Sequence, residues 1–195
     1  MNDDLAIIIL AAGSSSRLGQ SKQLLKIDDE TLLARSCKLA LNVSKNAAVV
    51  LGANYQAHEH AIQRIPIKVI ENKNWQLGMG NSLKVGITYA LAMDSKVNSI
   101  LIMVCDQPLL TAEHLKKLIE ISNTNERSII SSSYQGILGV PAIFKKNIFK
   151  ELLALKNEEG ARKIIQSKKN EVCSVEFIGG EIDLDTPADV KNFLG

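Results

Sequence analysis

The chain predicts an α/β fold, a single three-layer α/β/α domain built on a mostly parallel sheet. Three observations carry that prediction. Short apolar runs of strand length alternate with helical patterns along all 195 residues. The first run, Leu5-Ala6-Ile7-Ile8-Ile9, is apolar without alternation, as a buried strand is. Strands separated by helices pair in parallel and need helices on both faces of the sheet. No repeat, low-complexity tract or long linker divides the chain, so residues 1–195 read as one domain.

Taken in order, the first strand is Leu5–Leu10, followed by a helix over Thr31–Asn42. Strand Ala47–Leu51, helix Tyr55–Arg64 and strand Ile67–Glu71 come next, each an apolar run or a helical pattern of ordinary length. Helix Ser82–Met93 follows a glycine pair and leads to strand Ile100–Cys105. Thr111 is placed as the N-cap of helix Ala112–Asn123, with Glu113 and His114 in its first turn. The second half holds strands Ser128–Ser132 and Ala142–Phe144, helices Lys146–Ala154 and Gly160–Ser167, and strand Glu171–Phe177. The last helix is Pro187–Phe193, with proline at its first position and Thr186 as its cap. In open parallel sheets ligands bind beyond the carboxyl ends of the strands. The segment after Leu10 and the residue after Cys105 therefore belong to one edge of the sheet by topology alone.

Composition narrows the partners. A net charge of +2 indicates no large basic surface for nucleic acid. The acidic start, Met1-Asn2-Asp3-Asp4, and the short apolar run after it do not read as a secretory signal, and no stretch approaches a membrane span. Cys37, Cys105 and Cys173 are odd in number and far apart, with no Cys-x-x-Cys, which argues against structural zinc and a disulfide framework. The expected compartment is the reducing cytoplasm. Without a signal peptide the formal glycosylation acceptor Asn42-Val43-Ser44 carries no weight. His58, His60 and His114 are not spaced as metal ligands, and the single tryptophan, Trp75, reads as packing.

Chemistry concentrates in Leu10-Ala11-Ala12-Gly13-Ser14-Ser15-Ser16-Arg17-Leu18-Gly19-Gln20-Ser21-Lys22, directly after the first strand. Gly13 and Gly19 permit tight turns, whose backbone N–H groups attract anions. Arg17 adds a planar donor fork and Lys22 a point charge, both suited to phosphate oxygens. Ser14 and Ser16 offer hydroxyl donors, although serine is also common in turns. The spacing is neither a Walker A loop, because five residues separate Gly13 from Gly19, nor a Gly-x-Gly-x-x-Gly fingerprint. On residue types alone, an ordinary serine-rich loop fits as well. Asp106, at the end of a buried strand, offers hard oxygen ligands of the kind Mg²⁺ prefers, or else serves as a turn residue before Pro108. Gly78 and Gly80, ahead of Asn81, Ser82 and a helix, suit an anion or a base edge, or a flexible turn.

The whole pattern Leu-Ala-Ala-Gly-x-Ser-x-Arg-x-Gly-x-x-Lys resembles the signature of nucleotidyltransferases with a glycosyltransferase-A-like fold, and most closely their molybdenum cofactor cytidylyltransferase branch. Gly78-Met79-Gly80-Asn81-Ser82-Leu83, Asp106-Gln107-Pro108, Gly139-Val140-Pro141, Glu159-Gly160-Ala161-Arg162 and Asp183-Leu184-Asp185-Thr186-Pro187 resemble further motifs of that branch in the same order. The resemblance implies Lys22, Arg17 and Asp106 as catalytic groups. It implies Mg²⁺ on Asp106 and Asp185, with Asp183 the alternative second ligand. It implies nucleotide contacts from Leu10, Ala11, Ala12, Gly13, Ser14, Ser16, Gly78, Gly80, Asn81 and Ser82, and an acceptor phosphate on Arg162. The nucleotide-binding part would be about residues 1–110 and the acceptor-binding part about 111–195. Two departures stand out: Asn81 replaces the branch's Ser, and Asn157-Glu158 stands where Gly-Asp is usual.

The implied reaction is transfer of CMP from CTP to the phosphate of molybdopterin, with pyrophosphate released. Related guanylyltransferases carry Leu-Ala-Gly-Gly where this chain has Leu10-Ala11-Ala12-Gly13; the Ala12 methyl narrows the space beside the base, which suits a pyrimidine. The product would serve molybdenum hydroxylases, so transient contact with one is expected. Two other readings stay open: a sugar- or polyol-phosphate nucleotidyltransferase, and a maturation factor that hands cofactor to a hydroxylase without catalysis.

Overall fold

The computed structural model describes residues 4–16 and 18–194. Strand β1 (Leu5–Ala11) is its axis, and every side chain along it is buried. Leu5, Ile7, Ile9 and Ala11 enter one apolar cluster; Ala6, Ile8 and Leu10 enter another. Successive side chains of a strand point to opposite faces, so an unbroken apolar run requires cover on both.

After β1 come a short ribbon, β2 (Lys26–Ile27) with β3 (Glu30–Thr31), and helix α1 (Leu32–Val43). Next are β4 (Ala47–Leu51), α2 (Tyr55–Ile62), β5 (Lys68–Glu71), α3 (Met79–Met93) and β6 (Ser99–Val104). The second half adds α4 (Ala112–Thr124), β7 (Ile129–Tyr134), β8 (Ile137–Lys145), α5 (Phe149–Ala154), α6 (Ala161–Ser167), β9 (Val172–Glu176) and α7 (Pro187–Leu194). The main sheet has seven strands in the order β5-β4-β1-β6-β8-β7-β9. Buried residues of α1, α2 and α4 cover one face, and those of α3, α5 and α6 cover the other. Among the described residues no helix is long and apolar enough to cross a membrane, and the cysteines are free thiols.

This is a single α/β domain with a mostly parallel sheet. The exception is β8, which pairs antiparallel with both β6 and β7. The expectation of a mostly parallel sheet does not say which strand departs; the reversal comes from a tight β7–β8 hairpin at Gln135 and Gly136, with φ of 47° and 75°. Two successive positive φ angles make a turn whose twist matches the flanking strands. The predicted strand Ala142–Phe144 is thus the end of a nine-residue strand.

Helix ends follow local chemistry. Thr31 Oγ1 accepts a hydrogen bond from Ala34 N, and Thr111 Oγ1 from His114 N, each at 3.2 Å. Thr186 and Asp189 cap α7 reciprocally, as Thr186 Oγ1 accepts from Asp189 N and Asp189 Oδ2 from Thr186 N. Helix α3 begins three residues before the predicted Ser82, because Gly78 takes a φ of 118° that turns the chain directly into it.

Candidate active site

The strand order reverses direction around β1 and β6, whose carboxyl ends lie side by side. A crevice opens at such a point. Here it is a cavity of about 540 Å³, lined by the loop after β1, by Trp75, Gly78, Met79 and Ser82 at the start of α3, and by Asp106, Asp183 and Asp185. Leu10, Ala11, Ala12, Gly13, Ser14, Ser16 and Lys22 all line it. Arg17 lies outside the described residues.

Lys22, Asp106 and Asp185 meet within this cavity although they are distant in sequence. Lys22 Nζ donates to Asp106 Oδ2 at 2.9 Å and to Asp185 Oδ1. Burial opposes the ammonium charge, but the carboxylates of Asp106 and Asp185 outweigh it and hold Lys22 above the ordinary lysine range. Asp183 stands at the same rim. Partial loss of water there, together with the charges of Asp106 and Asp185, pushes its carboxyl up to about 6. Asp106 Oδ1 is buried with no hydrogen-bond partner among the described residues. A carboxylate oxygen left unpaired inside a polar cleft suits a hard divalent cation. No three His, Cys, Asp or Glu side chains cluster as a closed metal cage among the described residues. Mg²⁺ does not need one, since it is commonly bound through one or two carboxylates plus substrate phosphates.

The glycine pair divides its labour. Gly78 lines the cavity, whereas Gly80 faces away from it. Gly80 N donates to Asn157 O at 2.7 Å, and a Cβ on Gly80 would stand 2.2 Å from Lys156 O and 2.5 Å from Glu159 O. Asn81 N also donates to Asn157 O, at 3.3 Å. Gly80 and Asn81 thus anchor the first turn of α3 to the segment 156–159, while Ser82 reaches the cavity and its Oγ accepts from Asn72 Nδ2 at 2.9 Å.

Arg162 is elsewhere. It lines a second cavity of about 220 Å³ with Gln107, Tyr134, Gly139, Val140, Gly160 and Ala161. The two cavities share Leu10, Met79, Val104, Asp106 and Asp183 as common walls. The motif glycines of the second half therefore gather around one space beside Asp106.

Two residues that sequence reasoning passed over support the loop. Gln23 is buried and bonds the loop at several points. His58, fully buried, brings Nε2 to 2.5 Å from Ser21 Oγ. For Gln23 the available signal was a polar side chain on the turn next to Lys22; for His58 the sequence carries none. Trp75 packs on the core and also lines the first cavity.

Known proteins resemble this chain along most of its length. PucB, a purine catabolism protein of Bacillus subtilis (strain 168), is 29% identical over 93% of this chain and 92% of its own. The molybdenum cofactor cytidylyltransferase of Escherichia coli (strain K12) is 28% identical over 93% of this chain and 91% of its own. The solved structure of Rv0371c from Mycobacterium tuberculosis H37Rv superposes with a TM-score of 0.81 at 27% identity, covering 98% of this chain and 97% of that one. The model of the MobA-like NTP transferase domain matches residues 7–172, and the chain, with its glycine-serine loop and paired aspartates on one cleft, belongs to that nucleotidyltransferase family.

Proposed function

We propose that the protein transfers CMP from CTP to the phosphate of a molybdopterin-type acceptor and releases pyrophosphate. The observation that carries this reading is the convergence of Lys22, Asp106 and Asp185 at a cavity roofed by the β1 loop. The nucleotide would occupy the larger cavity, lined mostly by the part of the chain before about residue 110 and closed by Asp183 and Asp185. The acceptor would occupy the smaller cavity, with its phosphate toward Arg162. Similarity to the Escherichia coli cytidylyltransferase and the Ala12 methyl beside the base favour CTP.

In the reaction an acceptor phosphate oxygen attacks the α-phosphorus, and the bond from that phosphorus to the bridging oxygen of pyrophosphate breaks. The attacking oxygen is already anionic at neutral pH, so no general base is needed. Alignment and charge neutralisation are then the tasks left to the protein. Lys22 turns its ammonium from the two aspartates to the phosphates, and the loop N–H groups bind the same anions. Asp106 and Asp185 would hold a divalent cation such as Mg²⁺, which supplies further screening between the two anionic substrates when bound.

One panel tests this. Pyrophosphate release is measured with each of four nucleoside triphosphates, with and without molybdopterin, and with sugar and polyol phosphates. Release from CTP that requires molybdopterin is the expected result. Release only with a sugar or polyol phosphate would reassign the acceptor. Tight cofactor binding without any release would point to a maturation factor instead.

A further inference from the structure

We infer that Gln23 is the positioning residue that sets Lys22 against the substrate phosphates, an inference that rests on the nucleotidyl-transfer reading above. Gln23 is 4% exposed, within the short turn Lys22–Leu24 that follows the loop. Its amide has two N–H donors and a carbonyl with two lone pairs. All four are engaged. Nε2 donates to Ala11 O at 3.1 Å and to Gly13 O at 2.8 Å. Oε1 accepts from Ser15 Oγ and from Ser21 Oγ, each at 3.0 Å.

These four partners are spread along the loop from the last residue of β1 to the residue before Lys22. One side chain therefore ties both ends of the loop and its middle to a single buried point. Among the described residues the remaining ties are few: Leu18 N to Ser15 O, Ala53 N to Ala12 O, Ser21 Oγ with His58 Nε2, and Lys22 N to Ser15 Oγ at 3.1 Å. The last of these depends on Gln23 too, because Gln23 Oε1 orients the Ser15 hydroxyl that receives the Lys22 N–H. The loop itself is largely exposed and carries glycines at 13 and 19. An exposed, glycine-bearing loop with few bonds opens easily. Catalytic cations lose their effect when displaced by as little as about 1 Å. Gln23 also lines the larger cavity, but its amide atoms are all spent on the loop, so it acts through Lys22.

The test uses the full chain and two substitutions. Gln23→Met preserves length and burial but cannot hydrogen-bond. Gln23→Glu is isosteric but replaces the NH2 group and its two donors with one oxygen that faces the carbonyls of Ala11 and Gly13. CTP affinity is measured by calorimetry, and KM and kcat by pyrophosphate release, with a double-mutant cycle against Lys22→Met. Both Gln23 variants are expected to lower kcat/KM for the triphosphate by roughly 10- to 100-fold, less than the roughly 10²- to 10³-fold of losing one preorganised donor outright, because Lys22 is displaced and not removed. The acceptor's KM stays within about twofold. Adding Lys22→Met to Gln23→Met then costs at least about tenfold less than in the wild type, because coupled residues are not additive. Additive losses, or equal rises in both KM values, would assign Gln23 a merely structural role and overturn the inference. Should Gln23→Met not fold, Ser15→Ala removes one partner of the amide and the acceptor of Lys22 N–H, and the same comparison decides. A wild-type chain that binds and turns over no triphosphate would overturn the transferase reading together with this one. An active wild type matched by an equally active Gln23→Met would overturn this one alone.

Discussion

Replacing Lys22 by methionine removes a cation that pairs with both Asp106 and Asp185. The side chains are 12%, 24% and 27% exposed for Lys22, Asp106 and Asp185. Breaking a fully buried ion pair from one side costs about 3–5 kcal/mol, and an exposed pair contributes about 0–1 kcal/mol. A site about three-quarters buried falls between, at about 2 kcal/mol. For a chain of 195 residues that corresponds to a Tm lower by roughly 4–8 °C, at about 2–4 °C per kcal/mol. The assay is thermal unfolding in EDTA and then in excess Mg²⁺. A cation at about 100 times its Kd adds about 2.7 kcal/mol of stability. Lys22→Met gains more from Mg²⁺ than the wild type, which must first surrender the Lys22 ion pairs to Asp106 and Asp185. Turnover falls by on the order of 10², the scale of one preorganised donor. A variant whose Tm in EDTA lies within a degree of the wild type, with an equal response to Mg²⁺, would refute the reasoning.

Two further outcomes are expected. His114 is buried against Phe177 with its Nε2 at 2.8 Å from Ser132 Oγ, and burial, helped by Lys117, pushes it down to about 4. The unfolded chain takes up that proton near 6.5, so the folded state binds fewer protons between the two values. Its contribution is whole above about pH 6.5 and is lost as pH falls toward 4, with an upper bound of about 3 kcal/mol. Urea midpoints measured from pH 7 to 4.5 should fall less steeply in His114→Gln, and parallel profiles would contradict this. Gly80→Ala places a methyl group against the carbonyls of Lys156 and Glu159. It should lower Tm by about 5 °C and weaken triphosphate binding by displacing Gly78 and Ser82, given about 1–3 kcal/mol for overpacking; an unchanged melt would show that the 156–159 segment simply moves away.

The alternation of strands and helices was legible because each element obeys its own periodicity, and β4 matches its expected bounds, Ala47–Leu51. The convergence of Lys22 with Asp106 followed from topology, since both follow carboxyl ends of central parallel strands. What stayed hidden depends on pairing rather than on residue type. The reversal of β8 rests on two positive φ angles at Gln135 and Gly136, and only the glycine announces itself. The use of Gly80 as a contact for the 156–159 segment requires knowing that two stretches more than seventy residues apart touch. Gln23 looks like any polar neighbour of a lysine until its four partners are seen at once.

Asp106 is a party wall, belonging to both cavities at once. Rooms divided by so thin a partition favour reactants that are in residence together, with the nucleotidyl group handed straight across. The expected kinetics are a ternary complex with intersecting reciprocal plots, and no half-reaction that exchanges labelled pyrophosphate in the acceptor's absence.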